Sequence, residues 1–212
     1  MDVVIAGGHG QIALRLEKLL SARGERVRGL IRNPEHAADI EARGAEPVIC
    51  DMEAEDDLAP FVEGADAIVF AAGAGPGSGP ERKRTVDLGA AVKLIDAARR
   101  LDIDRYVMVS AIGASEPESA SDAMRPYYDA KAEADARLAQ SGLAFTIVRP
   151  GRLTNDPGTG HIRAGRDIGT GSIARDDVAA TLAATLAAPN AIGVTFDVLE
   201  GNKPIEDAVA AL

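Results

Sequence analysis

The chain has 212 residues, a formal net charge of −10 and a single cysteine. That length suits one large α/β domain, and at this size roughly two-thirds of the unfolded surface can be buried without disulfide or metal staples. The acid excess is the wrong sign for a phosphate backbone, so no nucleic-acid partner is expected, and no run reaches the ~18 apolar residues of a membrane span.

The first strand is expected at 2–6 and opens directly on Asp2-Val3-Val4-Ile5, with no basic-then-apolar leader. A helix follows at 11–23 and stops at Arg23-Gly24, where glycine can take the left-handed C′ conformation. Strand 26–31 leads to a helix at 35–43, opened by Asn33-Pro34 as cap and first-turn proline. Next come strand 46–50, helix 55–63, strand 66–71, a Gly/Pro loop Gly73–Pro80 and a long helix at 81–101. Cys50 closes the apolar run Pro47-Val48-Ile49 and reads as a small buried hydrophobe. Strand 104–109, helix 124–141 and strand 144–148 follow, then an irregular stretch at 151–172 that reads as surface loop or as the lining of a ligand crevice. A helix at 176–188 opens on Asp176-Asp177, which favours its N-terminal dipole, and a strand at 194–199 and a helix at 204–211 close the chain.

Several strands are continuous and β-branched, such as Ala67-Ile68-Val69-Phe70 and Tyr106-Val107-Met108-Val109, as strands covered on both faces must be. Their alternation with helices implies a doubly wound parallel sheet of about seven strands in one domain over 1–212. Residues 151–172 and 189–212 would form a small substrate-side region.

The strongest signal lies between the first strand and first helix. Gly7, Gly10 and Ala13 form G-x-x-G-x-x-A. The first glycine permits a tight turn, the second lets the backbone approach a pyrophosphate, and the alanine lets the helix pack close. The helix start then offers free N–H groups to an anion. This is the dinucleotide loop of a Rossmann-type fold, or else a glycine turn that serves packing only. His9 would contribute its backbone rather than act as a general base. His36 and His161 read as isolated, and no spacing suggests a metal site.

In NAD-specific proteins an acidic residue usually follows the second strand, but Arg32 stands there and no carboxylate precedes Glu35. A guanidinium suits a 2′-phosphate, which favours NADP(H) and leaves NAD(H) open; the bland alternative is a solvated surface charge. Asp51 and Met52 suit an adenine edge, or Asp51 caps a helix. Ala71, Ala72 and Gly73 end the fourth strand with minimal side chains. Ser110 closes the fifth strand, and Tyr127 and Lys131 supply Tyr-x-x-x-Lys, with both side chains on one helical face. Lys131 would lower the Tyr127 phenol pKa, Tyr127 would move a proton and Ser110 would orient the substrate oxygen. Otherwise Lys131 only binds ribose and the tyrosine packs.

The chain resembles the atypical short-chain dehydrogenase/reductases, the compact NAD(P)H-binding group related to NmrA-like proteins and to biliverdin reductase B. The likeness rests on GGHGQIA at 7–13, LIRNPE at 30–35, CDMEAEDDLAPFVEGADAIVFAAG at 50–73, RYVMVSAIGA at 105–114, YYDAKAEADARLAQSGLAFTIVRPGRLT at 127–154 and SIARDDVA at 172–179. It implies that His9, Gly10, Gln11 and Ile12 cradle the diphosphate, that Arg32 holds the 2′-phosphate, and that Asp51 and Met52 bracket the adenine. Ala71 to Gly73 would line the ribose path, Ser110 and Lys131 would flank the nicotinamide, and Pro150 and Arg152 would lie by its carboxamide. The expected function is a cytoplasmic, monomeric or homodimeric NADP(H)-dependent oxidoreductase acting on a small carbonyl, quinone or flavin-like acceptor. A redox sensor without turnover and an epimerase or dehydratase are the alternatives; the short region after residue 190 leaves little protein to hold a sugar nucleotide.

Overall fold

The computed structural model describes residues 1–75 and 77–212; Pro76, inside the expected loop Gly73–Pro80, lies outside the described residues. The strands are β1 (Asp2–Ala6), β2 (Arg26–Ile31), β3 (Glu46–Ile49), β4 (Ala67–Phe70), β5 (Arg105–Val109), β6 (Ala144–Pro150), β7 (Arg152–Thr154), β8 (His161–Gly165), β9 (Ser172–Ala174), β10 (Val194–Glu200) and β11 (Lys203–Pro204). Nine of them form one sheet in the order β11-β8-β10-β6-β5-β4-β1-β2-β3. From β3 to β10 every pairing is parallel, while β8 and β11 add antiparallel pairings at the edge. The strand order reverses at β1 and β4, so their carboxyl ends open a crevice.

The helices are α1 (Gln11–Ala22), α2 (Ala37–Glu41), α3 (Ala59–Val62), α4 (Pro80–Arg82), α5 (Ala91–Arg100), α6 (Arg125–Ala139), α7 (Arg175–Leu186) and α8 (Ile205–Ala210), and a π-helical segment, Lys83–Ala90, joins α4 to α5. They cover both faces of the sheet because successive strand residues point to opposite sides. Val3 and Ile5 pack in one core with Leu16 of α1 and Leu182 of α7. Val4 and Ala6 pack in the other with Leu94 of α5 and Leu138 of α6. Each large side chain buried this way contributes roughly 1.5–3 kcal/mol.

The doubly wound class is as expected, and the strand count of about seven is corrected upward. The stretch 151–172 holds β7 and β8 and ends on the first residue of β9; β8 pairs with β10, and β7 pairs with β9 as a separate ribbon. Strands of three to five residues, such as Arg152–Thr154 and Ser172–Ala174, carry too little periodicity to be seen in the sequence. The expected helix 55–63 shrinks to α3, whose first turn is capped by Asp57 Oδ1 accepting from Ala59 N at 2.9 Å. The helix expected at 35–43 begins as a 3-10 turn, Pro34–His36, capped by Asn33 Oδ1 accepting from Glu35 N at 3.1 Å. Gly24 takes the expected left-handed conformation, with φ of 80°.

Candidate functional site

The crevice at the strand reversal is a cleft of about 400 Å³. Among its lining residues are Gly7, His9, Gly10, Arg32, Asp51, Met52, Ala71, Ala72 and Gly73, all singled out in the sequence. Gly7 is fixed as glycine twice over. Its φ is 80°, and a Cβ there would stand 2.7 Å from Ala72 Cα. Gly10 precedes α1 with no side-chain cap, and the first turn of α1 holds no acidic residue. The amides of Gln11, Ile12 and Ala13 have no acceptor one turn earlier, at the positive end of a twelve-residue helix. With no side chain at Gly7 or Gly10, both of which line the cleft, this helix start fits a diphosphate.

Behind the cradle lies a residue the sequence did not flag. Glu17 of α1 is fully buried, and neither carboxyl oxygen has a hydrogen-bond partner among the described residues. Burial pushes its carboxyl up to about 8, against the opposing Arg43 charge. The side chain fills the space that the absent Cβ of Gly29 leaves, since a Cβ there would stand 2.6 Å from Glu17 Oε1. Cys50 also lines the cleft wall; it is buried, and burial raises its thiol to about 12, as befits an inert hydrophobe.

On the Arg32 side of the cleft, the acidic residue missing after β2 is supplied by the turn beyond β3. Glu53, beyond β3, accepts from Arg32 Nη1 at 3.2 Å. Arg82 at the end of α4 donates to the same oxygen from Nε at 3.3 Å and Nη2 at 3.2 Å. Asp51 does not cap a helix; its Oδ1 accepts from Glu53 N at 3.0 Å and shapes the turn. His36, expected to be isolated, stacks on His9 with ring centroids 3.6 Å apart, and His9 Nε2 lies 2.8 Å from Asp39 Oδ2.

Behind the cleft wall formed by Ala72, α6 carries Tyr127, Lys131 and Asp135 at four-residue spacing, so all three share one face. Lys131 is buried, with Nζ donating to Val109 O at 3.2 Å and to Ala72 O at 3.5 Å. The ammonium thus sits where β4 and β5 end. It also pairs with Asp87 Oδ1 at 3.2 Å, and Asp87 Oδ2 accepts from Ala74 N at 3.2 Å. Asp87 belongs to the π-helical segment, which turns it fully inside. Burial works against the Lys131 charge, yet the surrounding Tyr127, Asp87 and Asp135 outweigh it and hold the ammonium above its ordinary pKa.

Ser110 is buried and its hydroxyl donates to Asp135 Oδ2 at 2.9 Å. Arg149 donates to that oxygen from both Nε and Nη2 at 2.9 Å. The serine is thereby turned onto α6. Tyr127 has Lys83 Nζ 5.0 Å and Lys131 Nζ 5.9 Å from its ring centroid. The expected lowering of its phenol pKa by Lys131 is present, but burial outweighs it and holds the phenol above the ordinary tyrosine value. Pro150 is buried at the end of β6, Arg152 is exposed on β7, Gln11 is exposed and Ile12 buried; neither these four nor Ser110, Tyr127 and Lys131 are among the residues lining the cleft.

A Rossmann-type sheet, a side-chain-free helix start at its strand reversal and a buried lysine at the far end define a dinucleotide-binding protein. Residues 7–189 match the NAD(P)H-binding family, and the chain belongs to it. The match is consistent with the resemblance to the atypical short-chain dehydrogenase/reductases that the motifs carry. It is 42% identical over 214 residues to the uncharacterized sugar epimerase YhfK of Bacillus subtilis, with all of both chains covered. A putative NAD-dependent epimerase/dehydratase from Bacillus halodurans superposes with a TM-score of 0.95 at 37% identity, again covering all of both chains. The oxidoreductase ylbE from Lactococcus lactis superposes with a TM-score of 0.87 at 29% identity, covering 100% of this chain and 96% of that one. Among the described residues no helix is long and apolar enough to cross a membrane.

Proposed function

We propose that the protein is an NADP(H)-dependent reductase of a small acceptor, a carbonyl, quinone or flavin-like compound. The Gly7–Ile12 cradle would hold the diphosphate, Arg32 the 2′-phosphate, and Asp51 and Met52 the adenine. Ala71 to Gly73 would line the ribose path, and Lys131 would meet the nicotinamide ribose. Pro150 and Arg152 would close over the carboxamide. A nicotinamide bound in this way supplies a hydride.

The observation that carries the reading is Tyr127 beside Lys131, with its phenol held above the ordinary tyrosine value. A phenol in that state keeps its proton on Oη and is suited to give it to an acceptor atom as charge develops there. That is the proton demand of reduction, whereas oxidation asks for a tyrosinate. Lys131, paired with Asp87, would stabilise the tyrosinate left after that transfer, until solvent returns the proton, and would orient the ribose; Asp135 and Arg149 hold Ser110 in place. The test is Tyr127→Phe with NADPH and a panel of quinones, flavins and aldehydes. Loss of about 10²–10⁴ in turnover is expected for carbonyl and quinone acceptors. The protonated form is the active one and its pKa is raised, so the wild-type rate stays flat through neutral pH and falls only above ~10. Full turnover in Tyr127→Phe would remove the tyrosine from the chemistry.

The names of two relatives favour a second reading, an epimerase or dehydratase that returns its coenzyme unchanged. Net loss of NADPH absorbance with acceptor separates the two, since a recycled coenzyme leaves none.

A further inference from the structure

Arg32, at the end of β2, and Arg82, at the end of α4, come from elements far apart in sequence, yet both donate to one oxygen, Glu53 Oε2. The other oxygen, Oε1, accepts from Thr85 Oγ1 at 2.7 Å. The loop beneath is pinned: Lys93 Nζ donates to the carbonyls of Met52, Glu53 and Glu55 at 3.0, 3.2 and 2.6 Å. Glu53 can therefore swing its side chain but not its backbone. Two guanidiniums and a hydroxyl converging on one anion form the donor set of a phosphate monoester, whose planar forks match its oxygens. Here a carboxylate of the protein itself holds them.

We propose that Glu53 is the residue that sets coenzyme specificity. This rests on the NADP(H) reading above. A 2′-phosphate must take Arg32 and Arg82 from Glu53, so the carboxylate weakens NADP(H) binding. A coenzyme without that phosphate meets Glu53 as an acceptor for its ribose 2′-hydroxyl, the task an acidic residue after β2 performs in NAD-specific proteins. Glu53 thus narrows a preference that Arg32 and Arg82 alone would make steep, and the chain accepts both coenzymes.

The test is calorimetric titration of wild type, Glu53→Gln and Glu53→Asp with NADPH, NADH and 2′,5′-ADP, a probe with no redox chemistry. Glu53→Gln removes the competing charge, so NADPH and 2′,5′-ADP should tighten about tenfold while NADH stays level or weakens. Glu53→Asp retracts the carboxylate and should shift the ratio the same way by less; it decides the matter if the glutamine variant folds poorly. An unchanged NADPH/NADH ratio, or one moved toward NADH, overturns the role of Glu53 and leaves the coenzyme reading standing. A wild type that binds none of the three probes overturns both.

Discussion

The two ends of the cleft handle charge in opposite ways. Beyond β2 and β3, Arg32, Arg82 and Glu53 are partly solvated, so a ligand's anion could take the place of their ion pairs. Where β4 and β5 end, Lys131 and Asp87 are almost wholly buried, and Asp135 is held by Arg149. Exposed pairs of long side chains are worth little, so they can be traded in binding. Buried pairs are costly to break from one side, so they hold geometry instead. On the proposed reading, the exposed pairs would select the coenzyme and the buried pairs would fix where its reactive ring must lie.

The largest effect is expected where that contrast is sharpest. Asp87→Ala leaves Lys131 buried and unpaired, and should cost about 3–5 kcal/mol in urea unfolding. Adding Lys131→Met to Asp87→Leu should recover much of that loss, because two apolar groups replace two charges. A cost below about 1 kcal/mol, typical of an exposed pair, would erase the distinction between the two ends.

Gly7→Ala comes next. The strained φ and the contact with Ala72 should cost about 1–3 kcal/mol and abolish the heat of NADPH binding at both ends of the cleft alike. Retained binding would mean that the cradle tolerates a Cβ and that shape is not what recognises the diphosphate.

A third effect depends on pH. Glu17 has a folded-state pKa of about 8, raised from the ordinary 4.5. The folded protein therefore holds a proton that the unfolded chain releases. Stability is full below the ordinary value, erodes as pH rises from there toward 8, and stays reduced above it. Glu17→Gln should match wild type in melting temperature at low pH and exceed it above pH 8. A gap independent of pH would show that packing, not titration, governs the site.

Much of the adenylate end was legible because a glycine loop states backbone geometry directly. Gly7, Gly10 and the small residues at 71–73 can be read one by one, since each is there for the side chain it lacks. Glu53 was not legible as a partner of Arg32: they are 21 positions apart and meet only because β2 and β3 pair in parallel. Asp87 was hidden for a different reason. A π-helical segment shifts which face a residue presents, and the 3.6-residue period gives no sign of it.

From the order of its residues alone, the chain declared a doubly wound sheet, an anion cradle after the first strand and a lysine one helical turn beyond a tyrosine. Those are local properties: strand hydrophobicity, turn sterics and i,i+4 spacing. Which charges neutralise one another was decided only by the folded molecule. Coulomb pairing depends on distance and burial, and only the packing of helices on the sheet brings Asp87 to Lys131, Asp135 to Arg149 and Glu53 to two arginines.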